Sequence, residues 1–130
     1  MNSLVNKDFK LIILAGIIFV FIDSIYLSIM TPFYSKLILK IQNKPMEFDI
    51  FAALLCYVSL LFGLYYFVLR EKKSVSDAIL LGLVIYAVFE FTNKAMFKKW
   101  NWTSVVIDTL WGGALFGLTT YFVYKIYGIM

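Results

Sequence analysis

Histidine is absent from this chain of 130 residues, and cysteine occurs once, at Cys56. Without histidine, the sequence lacks the usual zinc or copper ligand and the commonest general base, and it excludes the Ser-His-Asp and Cys-His catalytic arrangements. A lone cysteine cannot form a disulfide within the chain, and its apolar neighbours indicate a small core residue. The sequence therefore predicts no catalytic residue of these types and no cofactor.

Charge is also scarce, since 15% of the residues are charged and 62% are hydrophobic. Soluble proteins are typically about 25% charged and roughly 45–50% apolar. A single domain of residues 1–130 has too little interior to hide this much apolar surface from water, so lipid must solvate much of it. The net charge of +4 comes from lysines spread between apolar runs. We therefore expect membrane lipids as partners and no nucleic acid.

Long hydrophobic runs are what the sequence has in abundance. A helix needs about 20 residues to cross a bilayer. Because backbone polar groups in lipid must be bonded within their own segment, such runs predict helices. The first run is too long for a signal peptide, and no cleavage site follows it. We predict an all-α, polytopic integral membrane protein, a compact bundle of four transmembrane helices with spans at about residues 11–30, 50–69, 77–96 and 104–126.

The segment after the first span is amphipathic. Apolar residues at positions 33, 37, 38 and 41 share one helical face, and Lys36 and Lys40 lie on another. This pattern is typical of a short helix at the membrane surface. Proline disfavours helix in the residue before it, so Thr31-Pro32 favours a break or kink there. The alternative is that the first helix continues past the bilayer.

The orientation in the membrane is not decided by the positive-inside rule. We call the side that holds the N-terminus side A and the opposite side side B. Four spans return the C-terminus to side A, and the 12 Lys and Arg residues divide six to six between the two sides. The cation-rich loop at 70–73 favours a cytoplasmic side A, with both termini there.

Three acids lie inside apolar runs, on three different spans: Asp23, Glu90 and Asp108. A charge near the bilayer centre costs at least ~2.5–3.5 kcal/mol, so such residues usually face the bundle interior. With 1.5 Å per helical residue, their depths agree within roughly 5 Å, in the half of the membrane nearest side B. Helical spacing and depth add polar and aromatic neighbours to this candidate binding or proton-relay layer: Tyr26, Tyr57, Tyr86, Asn93 and Trp111.

Small residues and an aromatic-basic cluster have predicted structural roles. Gly113 and Gly117 form a small-xxx-small pattern that lets helices approach closely, and Gly112 leaves room for the neighbouring tryptophan ring. The third loop pairs lysines with tryptophans, as interfacial belts do. Its predicted interface anchors are Lys98, Lys99, Trp100 and Trp102.

Four motifs occur in a characteristic order: FID-x-x-YL in the first span, CY-x(5)-G in the second, FEFTN followed by KKW, and VIDTLWGG in the fourth. The chain resembles the domain-of-unknown-function family 2177, small predicted membrane proteins, over about residues 11–126. The resemblance implies four membrane helices and no established activity. Glu90 stands where the family more often has aspartate, and Tyr26 where tryptophan is common. The family pattern falls on Asp23, Tyr57, Gly63, Thr92, Asn93, Trp100, Asp108, Trp111 and Gly112, which adds Thr92 to the candidate layer and Gly63 to the packing glycines.

Three functions from different classes fit these observations. The first is a small transporter or channel for a proton, a cation or a small polar solute, and oxygen ligands favour protons, sodium, magnesium or calcium. The second is a noncatalytic accessory or scaffold protein, whose polar layer only holds helices together. The third is a membrane-embedded lipid-modifying enzyme. We favour the first. Four helices rarely enclose a full pathway, so it predicts a homo-oligomer or a partner membrane protein.

Overall fold

A computed structural model describes residues 2–128, with side chains described for residues 6–128. In this part of the chain the helices are α1 (Asn2–Gln42), α2 (Ile50–Leu64), α3 (Val75–Met96) and α4 (Trp102–Tyr127). A π-helical turn, Tyr65–Leu69, extends α2. Each predicted span falls inside one of these helices, and all four are long and apolar enough to cross a membrane. The predicted all-α class is confirmed.

Local capping groups set where the later helices begin. Side-chain oxygens of Asp49, Ser74 and Asn101 accept hydrogen bonds from backbone N–H groups in the first turns of α2, α3 and α4. These bonds satisfy donors that have no partner inside a helix. α4 ends at Gly128, whose φ of 67° is the left-handed conformation that glycine adopts at helix ends.

Helix α1 is longer than a single span requires. Its 41 residues continue through Pro32 without a break. The structure therefore agrees with the alternative prediction, that the first helix continues past the bilayer. Hydroxyl groups of Ser28 and Thr31 donate to the carbonyl oxygens of Ser24 and Leu27, four residues earlier, as serine and threonine commonly do inside helices. The amphipathic pattern beyond Pro32 is present, and Leu37 on its apolar face packs against Trp100 and Val105. This face is therefore partly covered by protein.

The helices pack in the order α3–α4–α1–α2, with the most extensive contact between α3 and α4. Neighbours run antiparallel. On α1 and α4, for example, Phe19 lies against Phe116 and Tyr26 lies against Asp108. Backbone contact between α2 and α3 is marginal, although a short loop joins them. The apolar core includes Phe19 and Phe116, both fully buried, together with Leu64 and Leu115.

Gly82 and Gly112 allow α3 and α4 to approach closely. A methyl group at Gly82 would overlap the backbone carbonyl of Gly112, and one at Gly112 would overlap the ring of Tyr86. The role predicted for Gly112, space for an aromatic ring, is therefore seen, but the ring is that of Tyr86 on α3. Gly82 was not among the predicted packing residues.

The other predicted packing glycines differ from one another. Added methyl groups at Gly113 and Gly117 would overlap Leu83 and Ile79 of α3, so both glycines lie at the α3–α4 contact. Gly63 is buried in α2, but a methyl group there would meet nothing within 4 Å. The prediction that Gly63 is needed for close helix packing is wrong, because no neighbour approaches its backbone closely.

Candidate functional site

The three intramembrane acids all face the interior of the bundle. Asp23 is 6% exposed, Glu90 is 0% exposed and Asp108 is 9% exposed. In residues 6–128 the salt bridges lie in the loop between α2 and α3, and none of them includes these acids. The hydrogen-bond donors that reach these acids in residues 6–128 are therefore uncharged side chains.

Asp23 and Asp108 are linked by a reciprocal pair of hydrogen bonds between α1 and α4. Tyr26, three residues after Asp23, donates to Oδ1 of Asp108 at 3.1 Å. Trp111, three residues after Asp108, donates to Oδ1 of Asp23 at 2.9 Å. The rings of Tyr26 and Trp111 stack, with centroids 4.6 Å apart and planes 4° from parallel. Residues three apart lie on one helical face, so this arrangement follows from the antiparallel packing of the two helices.

Helix α2 contributes one side chain to the layer. The hydroxyl of Tyr57 donates to Oδ2 of Asp23. The two oxygens of Asp23 therefore each accept a bond from an aromatic side chain, one from α2 and one from α4. Bonds to a charged acceptor are stronger than those between neutral groups, and these hold α1 between its two neighbours.

Only one of the two carboxyl oxygens of Glu90 accepts hydrogen bonds. Its Oε1 accepts hydrogen bonds from Nε1 of Trp100 at 2.8 Å and from Oγ of Ser104 at 3.1 Å. Its Oε2 is buried, and no N–H or O–H group in residues 6–128 donates to it. The Glu90 carboxyl lies within hydrogen-bonding reach of the Asp108 carboxyl. Two ionised carboxylates have no hydrogen to donate, so this contact becomes a hydrogen bond only when one of the two carries a proton.

Hydroxyl groups continue the polar layer towards side B. The hydroxyls of Tyr26 and Tyr34 are 3.2 Å apart. Tyr34 also lies beside Ser104, which in turn donates to Glu90. The carboxyl pair, the two tyrosines and the serine thus form a closed ring of polar groups between α1, α3 and α4. Every member of this ring has an exchangeable proton or can accept one.

Several predicted layer residues have a peripheral position. Thr92 is exposed on α3 and Asn93 is half-buried, whereas Tyr86 is half-buried on the face of α3 that packs against Gly112. Tyr86 and Asp108 both line a cavity of about 190 Å³ that opens between α2 and α3. The prediction for Thr92 is wrong, because its side chain points out of the bundle.

Trp100 requires a different correction. It was predicted as an interface anchor, but it is 6% exposed and its indole nitrogen is bound to Glu90, so it belongs to the polar layer. The other predicted anchors, Lys98, Lys99 and Trp102, are exposed. Lys94 lies 5.5 Å from the centroid of the Trp102 ring. Their contact with the lipid interface stays a prediction.

Sequence reasoning missed Tyr34 and Ser104. Ser104 precedes Asp108 by four residues and Tyr34 follows Tyr26 by eight, so each shares a helical face with a predicted residue. That spacing was the available signal. It was obscured for Tyr34 because Pro32 suggested that the helix ends before it.

The arrangement is better suited to protons than to a metal. In residues 6–128 no three acidic or cysteine side chains are arranged to hold a metal ion. The oxygens of Asp23 and Oε1 of Glu90 are already bound by aromatic or hydroxyl donors. What remains is the contact between the Glu90 and Asp108 carboxyls, which a proton on either of them converts into a hydrogen bond.

Trp111→Phe should lower the free energy of unfolding by about 1–2 kcal/mol. Phenylalanine keeps a ring against Tyr26 but removes the N–H group that binds the buried Asp23. Trp102→Phe is the matched control, and because Trp102 is 61% exposed we expect a change within about 0.5 kcal/mol. Thermal unfolding in detergent measures both. Equal stability of the two variants would show that the bond to Asp23 contributes nothing.

Comparison with known proteins agrees with this architecture. No curated protein and no solved structure shows significant similarity to the chain. A family model described as "Predicted membrane protein (DUF2177)" matches residues 9–125, which include all four apolar spans and every acid of the layer. The chain therefore belongs to the DUF2177 family of predicted membrane proteins.

Proposed function

We propose that this protein is a small membrane transporter that carries protons through its buried carboxyl layer. One observation carries the proposal: the fully buried Glu90 carboxyl lies next to the Asp108 carboxyl, and its Oε2 has no N–H or O–H donor in residues 6–128. Two carboxyl groups in contact cannot both stay ionised at low cost, whereas one shared proton relieves the repulsion. The pair thus has a protonated and a deprotonated state.

The hydroxyls of Tyr26 and Tyr34 provide a route between this pair and side B. Tyr26 donates to Asp108, and Tyr34 lies one hydrogen bond further along α1. A hydroxyl both donates and accepts, so a proton that leaves Asp108 is passed along by exchange of bonds. The titratable groups around the pair are Asp23, Tyr26 and Tyr34 on α1, Cys56 and Tyr57 on α2, and Tyr86 on α3.

The half of the bundle nearest side A is packed mainly with apolar side chains, and it also contains the buried hydroxyl groups of Thr119 and Thr120. Phe19, Leu115 and Phe116 are fully buried there. Passage through this half requires a second conformation or an interface with another chain. We therefore propose that the protein works as a homo-oligomer or together with a partner membrane protein. We also propose, from the cation-rich loop at 70–73, that both termini are cytoplasmic.

A scaffold role is the second candidate, and the α1–α4 pair of bonds supports it. Asp23 is fully occupied by Tyr57 and Trp111, which is what a purely structural acid requires. The two candidates make different predictions for Asp108. If the acids only hold helices together, neutralising Asp108 changes stability or assembly and nothing else.

Proton flux into liposomes tests the proposal. The purified protein is reconstituted with a pH-sensitive dye inside the vesicles, and a membrane potential is imposed. We expect flux above that of protein-free liposomes, and we expect Asp108→Asn to reduce it to the protein-free rate while the protein stays folded. Asp77→Asn, which changes an exposed acid in the first turn of α3, should keep the wild-type rate. Wild-type flux in folded Asp108→Asn contradicts the proposal.

A further inference from the structure

A cleft between α2 and α3 leads to Asp108. It has a volume of about 190 Å³ and is lined by Cys56, Leu60, Ile85, Tyr86, Phe89 and Asp108. Cys56, predicted from its apolar neighbours to be a small core residue, is instead exposed at the outer edge of the cleft, as is Phe89. Asp108, 9% exposed, is the most buried residue of the cleft. The cleft exists because α2 and α3 make only marginal backbone contact, although each packs on another helix. It therefore opens sideways, towards the lipid.

The chemistry of this cleft changes with depth. Phe89 is exposed, the apolar Leu60 and Ile85 and the Tyr86 ring are half-buried, and the Asp108 carboxyl is buried. An ionised carboxyl at the end of an apolar cleft attracts a cation, and aromatic faces stabilise organic ammonium ions more than they stabilise neutral groups. A ligand that complements both the apolar lining and the carboxyl has an apolar body and a single positive charge.

We propose that this cleft binds a membrane-soluble organic ammonium ion, which enters from the lipid and places its charged group near Asp108. This inference rests on the proposed function in one respect, since the Glu90–Asp108 pair must be able to lose its shared proton. The deprotonated pair has one more negative charge than the protonated pair, and the ammonium group balances that charge. The proton and the organic cation then compete for the same two carboxyls, which is the requirement for exchanging one for the other.

The size of the cleft limits the charged group. A trimethylammonium group with one alkyl chain fits, because the head occupies the cleft and the chain remains among the exposed apolar side chains and lipid. Phe89 lies beside the path of that chain, with 55% of its surface exposed. Phe91 provides a comparison two residues further along α3, since it is 53% exposed and does not line the cleft.

Cys56 makes occupancy measurable, because it is the only cysteine of the chain and lines the cleft. The protein in dodecyl maltoside is treated with an apolar maleimide, with and without dodecyltrimethylammonium. We expect the ligand at saturation to slow alkylation at least about fivefold, and dodecanol, which has the same chain without the charge, to leave the rate nearly unchanged. Equal protection by dodecanol would overturn the proposal, because the carboxyl would then play no part.

Variants measure separately what the Asp108 carboxyl and the apolar lining of the cleft contribute to ligand binding. Asp108→Asn should weaken protection by dodecyltrimethylammonium about tenfold or more. Phe89→Ala should weaken it about two- to fivefold, and Phe91→Ala should leave it unchanged. The phenylalanine pair lies on the outer surface of α3, so it tests the site even if Asp108→Asn does not fold. Equal effects of Phe89→Ala and Phe91→Ala would count against the cleft.

The flux and protection experiments can each contradict one proposal without contradicting the other. Proton flux that depends on Asp108, without protection of Cys56, removes the organic cation and keeps the proton transporter. Protection that depends on Asp108, without proton flux, keeps the binding site and removes proton transport.

Discussion

Gly82→Ala should lower the free energy of unfolding by about 1–3 kcal/mol, although it adds only a methyl group. The added carbon would overlap the carbonyl oxygen and carbon of Gly112 and approach Cβ of Phe116. Two of these atoms belong to the backbone, so no side-chain rotation relieves the overlap. The α3 and α4 helices must move apart along the most extensive contact in the bundle. Thermal unfolding in detergent measures the loss.

Gly63→Ala is the matched control for this prediction. Gly63 is also a buried glycine inside a helix, but an added methyl group meets nothing within 4 Å. Alanine has a higher helix propensity than glycine by about 0.8–1.0 kcal/mol, so we expect unchanged or slightly higher stability. If both variants lost stability equally, close packing of α3 against α4 would not be the reason that Gly82 is a glycine.

Glu90→Ala should have the largest effect in the polar layer, a loss of about 2–5 kcal/mol. The substitution removes the acceptor of both Trp100 and Ser104 and leaves Asp108 without its neighbouring carboxyl. Buried polar groups that lose their partners are costly, and the missing side chain also leaves a cavity. The folded fraction after purification and the unfolding temperature measure the effect. Wild-type stability of Glu90→Ala would show that these bonds are not needed for folding.

Glu90→Gln separates the structural role of this position from the proposed transport role. The amide oxygen still accepts from Trp100 and Ser104, and the amide nitrogen donates to Asp108 where a shared proton otherwise lies. We expect most of the stability of wild type, with proton flux at the protein-free rate. Wild-type proton flux in liposomes that contain folded Glu90→Gln would contradict the proposed role of the Glu90–Asp108 pair in carrying the proton.

The depth of the acids was predictable because helical rise is constant. Asp23, Glu90 and Asp108 were placed in one layer from residue counts alone, and in the structure all three are buried. Counting along helices does not reveal which side chain on one helix meets which on another. The exchange of partners between the Asp23–Tyr26 and Asp108–Trp111 pairs depends on the rotation of α1 and α4 about their axes, which packing decides.

The position of Trp100 shows the same limit. Tryptophan beside lysines is typical of an interfacial belt, and Trp102 has that exposed position. Trp100 instead turns inward to Glu90, because the short α3–α4 connection folds back over the end of the bundle and covers it with Leu37 of α1. The extension of α1 beyond Pro32 makes this possible. Local sequence indicated a break there, but the part of the helix beyond Pro32 packs against Trp100 and Val105, and this contact stabilises it.

Hydropathy alone predicts a membrane protein of four helices and the position of each span, and residue counts predict that the three acids share one depth. These properties depend on local sequence and on the constant rise of a helix. Helix packing, in contrast, is what brings α3 against α4 at Gly82, places Glu90 next to Asp108 and leaves a cleft open between α2 and α3. Those features depend on the rotation of each helix about its axis and on which helices pack against each other. Side-chain packing among all four helices determines both, so they cannot be read from any single segment.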